Sequence, residues 1–278
     1  MEAALKKELE ITACKVRMGI IEGVHSAKAG HPGGSLSCAD ILTYLYFVHM
    51  NVDVNNPKKA DRDRFVLSKG HAAPALYSVL AHKGFFEVES LKTLRQIGSI
   101  LQGHPDMKHI PGVDMSTGSL GQGISCAVGM ALSSKHFGDN YKVYTVLGDG
   151  EIEEGQVWEA AMFAANKGLS NLTAFVDYNN LQIDGTIEDV NSAYPIDKKF
   201  EAFNWHTITI DGHDFDQIEA ALKEAETIDK PVAIIAKTTK GKGVSFMENQ
   251  VGWHGVAPND EQYEQAMSEL NAALSDMQ

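Results

Sequence analysis

The stretch Leu147–Gly185, LGDGEIEEGQVWEAAMFAANKGLSNLTAFVDYNNLQIDG, decides the fold. Tyr144 to Leu147 is apolar and β-prone, and Gly148-Asp149-Gly150 ends it with residues that tolerate unusual backbone angles and let a ligand come close. From Glu154 to Lys167, Val157, Ala161, Ala164 and Ala165 recur at helical spacing, and Leu172 to Val176 is a continuous apolar run, so the stretch predicts a βαβ unit. A right-handed crossover makes its strands parallel. Their carboxyl ends, carrying Asp149 and Asn179-Asn180, then emerge on one sheet edge. An Asp and an Asn are hard oxygen ligands suited to Mg²⁺ or Ca²⁺, and Mg²⁺ takes few ligands from protein and the rest from water and phosphate. Either dipeptide alone reads as a tight turn. At the two ends of one βαβ unit they read together as a metal-bridged diphosphate site.

Upstream, Ala3 to Ala29 predicts a helix with Leu9, Ala13, Val16, Ile20 and Val24 on one side, stopped at Gly30. His31-Pro32-Gly33-Gly34 reads as a loop, with Ser35 or Ser37 capping a following helix whose apolar face holds Ile41, Leu42, Leu45, Tyr46 and Val48. Asn51 to Arg64 is a polar surface loop. Phe65-Val66-Leu67 is a short buried strand, Lys69-Gly70 breaks it, and Ala72 to His82 is helical. Gly84 to Met115 has little periodicity and is longer than most connections, which in enzymes points to function. Gly118 to Phe137 begins Gly-rich and continues as a helix with small residues at Ala127, Gly129, Ala131 and Ser133, suited either to a subunit contact or to core packing. Downstream, Asp184-Gly185 is a turn and Ile187 to Phe203 is mixed. His206 to Ile210, Asp214 to Glu226 and Pro231 to Ala236 form a second βαβ unit, and Asn259 to Leu274 is an amphipathic helix.

The 278 residues, 44% apolar, suffice for one sizeable α/β domain, and no break into two is visible. Asp and Glu number 37 against 24 Lys and Arg, and no basic run exceeds the pairs Lys6-Lys7, Lys58-Lys59 and Lys198-Lys199. That balance argues against nucleic acid and anionic membrane as partners, while a divalent cation still permits a diphosphate. Cys14, Cys38 and Cys126 are odd in number and outside any metal or disulfide spacing, and the amino terminus lacks the pattern of a signal peptide. A soluble cytoplasmic protein is expected.

The spacing of GDG and the Asn pair resembles the thiamine-diphosphate motif, and the flanking text is similar to the amino-terminal half of transketolases. The resemblance rests on SAKAGHPGGSLSCADIL (Ser26–Leu42), RFVLSKGHAAPALY (Arg64–Tyr77), QGHPD (Gln102–Asp106), STGSLGQGISCAVGMAL (Ser116–Leu132), IDGHD (Ile210–Asp214), and KTTKGKGVSFMEN (Lys237–Asn249) followed by WHG (Trp253–Gly255). These stand in the family's order over nearly the whole chain. The resemblance implies a thiamine-diphosphate-binding fold, a doubly wound, mostly parallel sheet with helices on both faces, as one diphosphate-and-metal domain over 1–278.

Of eleven histidines, His31, His71, His104, His213 and His254 adjoin a glycine, where chance would place roughly two. A His beside Gly is ordinarily a turn residue. By resemblance, His71 and His254 meet the diphosphate and the reaction centre, and His31 and His104 meet hydroxyls of a ketose donor; His213 matches no catalytic position. Imidazole has the pKa that carbon–carbon bond chemistry beside hydroxylated carbons requires near neutral pH. The resemblance also implies metal ligation by Asp149, Asn179 and the Leu181 carbonyl. It further implies an amide from Gly150 to the diphosphate, favoured by the start of the following helix, and approach of Gly118, Ser119 and Leu120 to the cofactor rings. Ser119 replaces the proline of many relatives, which loosens that loop. Lys240 either faces the cofactor channel or is a solvated surface lysine. Glu154 and Glu159 are either helix-start acids or, as the resemblance implies, part of a carboxylate network between the two cofactor sites of a dimer.

Family members activate the cofactor ring with a glutamate of a second domain, which also carries the pyrimidine pocket and most of the arginines that bind substrate phosphate. This chain ends at Gln278, about where that domain would begin. Intact motifs, the Met1 start and the acidic tail favour a subunit of a split transketolase, working in a dimer or heterotetramer with a separate carboxy-terminal chain, over a shortened piece of a longer enzyme. The implied cofactors are thiamine diphosphate and Mg²⁺, with Ca²⁺ or Mn²⁺ as substitutes, and the implied substrates are anionic ketoses and aldoses. The alternatives are an α-type subunit of a 2-oxo acid dehydrogenase, against which the loop histidines and GHPGGS argue, and a non-catalytic cofactor-binding regulator.

Overall fold

Five apolar runs form the strands β1 (Arg64–Leu67), β2 (Val143–Gly148), β3 (Leu172–Tyr178), β4 (His206–Asp211) and β5 (Val232–Lys237). They pair in the order β1-β2-β3-β5-β4, all parallel, in a computed structural model that describes residues 1–278. The register sets Gly148 opposite Asp177 and Tyr178 opposite Lys237, so the segments that follow β1, β2, β3 and β5 leave the sheet at one edge. Parallel strands covered on both faces are apolar throughout. β2 and β5 are buried at every position except Lys237.

Ten helices surround the sheet: α1 (Ala3–Ala27), α2 (Pro32–Ser37), α3 (Ala39–Tyr44), α4 (Ala73–Lys83), α5 (Gln122–Phe137), α6 (Gly155–Asn166), α7 (Ile187–Asn191), α8 (Ile196–Ala202), α9 (Phe215–Ala225) and α10 (Asp260–Met277). Side-chain alternation splits the core in two. Phe65, Leu67, Tyr144, Val146, Phe175 and Ile234 face α1, α3, α4 and α9, while Val66, Val143, Leu147, Ala174 and Ile235 face α5, α6 and α8. Right-handed crossovers require this. From β2 to β3 the chain steps one way across the sheet with α6 on one face, and from β4 to β5 it steps back with α9 on the other. The expected α/β architecture with helices on both faces is therefore present.

The two terminal helices pack together. Cys14 Sγ donates to the Leu270 carbonyl (3.3 Å), Tyr263 Oη donates to Glu22 (2.8 Å), and the His25 ring stacks on Tyr263 with centroids 4.1 Å apart. No helix is long and apolar enough to cross a membrane.

Two local expectations fail. His31–Gly34 is not a loop: Pro32 begins α2, and all six residues of that helix are buried. Ser35 and Ser37 are not caps, because they lie inside α2, where Ser35 Oγ donates to the His31 carbonyl (2.7 Å) and Ser37 Oγ to Asp177 (2.6 Å). The small-residue stripe on α5 divides, with Ala127 and Ala131 in the core and Gly129 facing open space.

Candidate active site

The strand ends build one cavity of about 330 Å³, lined among others by His31, Lys69, His71, Gly118, Asp149, Asn179, Lys240 and His254. Asp149 follows directly on β2 and is 3% exposed. Its Oδ1 accepts from the Gly150 amide (2.9 Å) and its Oδ2 from the Asn180 amide (2.6 Å). Burial, then the nearby Asp177 charge, push the Asp149 carboxyl up to about 7. Asn179 follows β3, with Nδ2 donating to Asp177 (3.3 Å) and Oδ1 accepting from Leu181 N (3.2 Å). Asn180 adopts the left-handed conformation (φ 65°) and turns the chain into a tight loop in which Leu181 bridges Thr186.

The donor set fits a hard divalent cation. A buried carboxylate, an amide oxygen and the Leu181 carbonyl meet at the cavity, and the raised Asp149 pKa marks a place where positive charge lowers the energy. The Leu181 carbonyl also accepts from Lys240 Nζ (3.1 Å). No group of three or more His, Cys, Asp or Glu side chains is placed to hold a metal, which sets this mixed oxygen set apart from a soft-ligand site.

Three imidazoles stand together. The His31–His71, His71–His254 and His31–His254 ring centroids are 5.2, 5.3 and 5.6 Å apart. Burial, aided by Lys240, lowers His254 to about 3, and burial with Lys69 lowers His71 well below the usual range. Burial and Arg95 lower His31. All three are neutral near pH 7, and each ring then has one N–H donor and one acceptor nitrogen. Lys240 Nζ lies 2.8 Å from His254 Nδ1, so the ammonium donates and the neutral ring carries its proton on Nε2. Lys240 is 1% exposed, which removes the surface-lysine alternative, and burial lowers it to about 8. His104 lies beside the cavity, its ring 3.3 Å from where a Cβ on Gly118 would stand. The Tyr77 hydroxyl is shared between the Gln102 (2.9 Å) and His104 (2.7 Å) carbonyls and steadies that loop.

Other expected residues lie differently. The Gly150 amide is turned to Asp149, and Gly150 leads into a 3₁₀ turn, Glu151–Glu153, so α6 begins only at Gly155. Leu120 lines the cavity and is 37% exposed, whereas Ser119 is exposed outside the lining. Glu154 and Glu159 are exposed and do not reach the cavity. His213 is structural, with Nδ1 on Asp40 (2.7 Å) and Nε2 accepting from Thr239 N (2.8 Å).

Three buried charged residues at or beside the cavity escaped the sequence reading. Glu151 accepts from Ser68 Oγ (2.6 Å), Gly121 N (2.9 Å) and Gly148 N (3.0 Å), joining the TGSLGQG loop to the end of β2. Lys69 and Asp177 form an ion pair with both side chains essentially inaccessible. Their only sequence signal is a lysine and an acid each at the end of an apolar strand.

Residues 9–273 match the family described as transketolase, thiamine diphosphate binding domain. The chain is 46% identical over 264 residues to the 6-deoxy-6-sulfo-D-fructose transketolase subunit of Clostridium sp. (strain MSTE9), covering 95% of this chain and 96% of that subunit. It is 44% identical over 274 residues to an apulose-4-phosphate transketolase subunit of Phocaeicola vulgatus, covering 97% of this chain and 96% of that one. Human transketolase is 42% identical over 270 residues, which is 96% of this chain but 42% of that protein. The crystal structure of Campylobacter jejuni transketolase superposes with a TM-score of 0.90 at 32% identity, covering 100% of this chain and 46% of that one. The chain thus spans nearly the full length of the two bacterial subunits and under half of the longer enzymes.

Proposed function

The chain belongs to the transketolase family, and from that premise we propose that it is the diphosphate- and metal-holding subunit of a two-chain transketolase. The observation that carries the reading is the single cavity in which the neutral imidazoles of His31, His71 and His254 share a lining with the oxygen ligands Asp149 and Asn179. Bound thiamine diphosphate would supply the carbon nucleophile and electron sink by which a two-carbon ketol unit passes from a ketose to an aldose. Asp149, Asn179 and the Leu181 carbonyl would hold the metal, with Mg²⁺ favoured because phosphate oxygens and water complete its shell. Gly118, Leu120, Gly150 and Lys240 would border the cofactor. His71 and His254 would meet the diphosphate and the reaction centre, and His31 and His104 would hydrogen-bond sugar hydroxyls.

A second chain would supply the pyrimidine-binding and carboxy-terminal domains, with two of each chain in the assembly. Exposed Glu154 and Glu159 are then free to meet a neighbouring subunit. The two relatives that this chain covers almost end to end are named for a sulfonated and a phosphorylated sugar, which supports an anionic ketose donor, of which a pentose phosphate is one case. Free thiols at Cys14, Cys38 and Cys126 support a cytoplasmic setting.

The test is co-purification with the product of the neighbouring reading frame, followed by a donor and acceptor screen with thiamine diphosphate and Mg²⁺. The mixture should transfer ketol units and each chain alone should not. Equal turnover by this chain alone would sink the two-chain reading.

A further inference from the structure

We infer that the buried Lys69–Asp177 pair is a positioning device: it fixes which end of the Asn179 amide faces the cavity and ties that ligand to the helix that presents His31. The inference rests on the metal reading above and goes beyond it.

Asp177 stands on β3 opposite Gly148, outside the cavity lining, whereas Lys69 lines the cavity. Asp177 Oδ2 accepts from Ser37 Oγ (2.6 Å), Asn179 Nδ2 (3.3 Å) and Lys69 Nζ, and Oδ1 accepts from Thr238 Oγ1. An ionised carboxylate has no proton to donate. Asn179 therefore has to offer its NH₂ to Asp177, which leaves Oδ1 on the side of the Leu181 amide and the metal ligands. Without that acceptor only the 3.2 Å bond from Leu181 N to Oδ1 would hold the orientation, and a turned amide would point NH₂ at the cation. Lys69 keeps the carboxylate ionised. The Lys69 ammonium is buried against Oδ2, and a protonated carboxyl would leave it without its counter-ion.

The pair also reaches the histidines. Lys69 Nζ donates to the Gly34 carbonyl (2.6 Å), and Ser37 links α2 to Asp177. His31 is the residue at the head of α2. One ion pair thus holds the metal-side strand end and the imidazole-bearing helix in fixed register.

The experiment measures Mn²⁺ affinity of the chain by electron paramagnetic resonance with thiamine diphosphate present, alongside near-UV circular dichroism. Lys69→Met with Asp177→Leu, which removes the acceptor and leaves no lone buried charge, should fold and weaken Mn²⁺ roughly 10–100-fold, as loss of an outer-shell partner does elsewhere. Adding Asn179→Asp to that pair should restore affinity to within about threefold, because a carboxylate offers oxygen in either orientation. A folded variant that binds Mn²⁺ as tightly as the unaltered chain, or failure of that rescue, overturns the inference. If the unaltered chain itself binds no Mn²⁺, the metal reading of Asp149 and Asn179 falls, and the inference falls with it.

Discussion

A carboxyl group pushed up to about 7 by burial, as Asp149 is, makes the folded chain a better cation binder than the unfolded one. Mg²⁺ with thiamine diphosphate should therefore raise the melting temperature. The linkage is worth about 2.7 kcal/mol at a hundredfold excess over Kd. Asp149→Ala should erase the Mg²⁺-dependent part, and an unchanged Mg²⁺ shift in a fluorescence melt would remove the assignment. The histidines give a pH signature. His254, lowered to about 3 in the fold, resists protonation that the unfolded chain accepts near 6.5, so its contribution is full above 6.5 and is lost as pH falls through 6.5 towards 3. Asp149 titrates in the opposite sense, so the difference between proteins is the useful reading. His254→Gln should narrow its melting-temperature gap to the unaltered chain by several degrees between pH 7 and pH 5, and a constant gap would contradict the shift. His31, His71 and His254 were legible because each sits beside glycine in a family motif. Lys69, Asp177 and Glu151 were not, since a buried charge is recognisable only by its partner, and these partners are distant in sequence. Lys240 was ambiguous for the same reason: KTTKGKG reads as polar surface until His254 and Leu181 close over it.

At the scale of elements, the strands followed their apolar runs closely, because burial on both faces leaves an uninterrupted signal. α2 did not. GHPGGS has turn chemistry, and what makes it helical is Pro at its start together with packing on all sides, including Gly33, where a Cβ would come 2.7 Å from the Trp253 carbonyl. Such packing is invisible to local propensity. The start of α5 depends on a similar approach. A Cβ on Gly123 would stand 2.5 Å from Ser68 Cα, so Gly123→Ala should cost about 1–3 kcal/mol in urea unfolding, as overpacking does. α10 begins with a capping box. Asn259 accepts from Gln262 N (2.8 Å) while Gln262 Oε1 accepts from Asn259 N (3.0 Å), and Asn259→Ala should cost about 1 kcal/mol by the same measurement.

At the scale of the whole molecule, the sheet separates two cores, and the cavity lies where neither reaches, beyond the carboxyl ends of the strands. The sequence carried the two βαβ units and the edge that unites Asp149 with Asn179. It carried neither the place of β5 between β3 and β4 nor the exposure of Glu154 and Glu159, which depend on how separate units dock. The pairing of α1 with α10 has its own consequence for biosynthesis. Cys14 meets Leu270, 256 positions further along the chain, so Leu9, Ala13 and Cys14 stay uncovered during synthesis until Ala266 and Leu270 emerge. A nascent chain arrested before Asp260 should present this apolar face to chaperones and resist proteolysis less well than one extended past Met277.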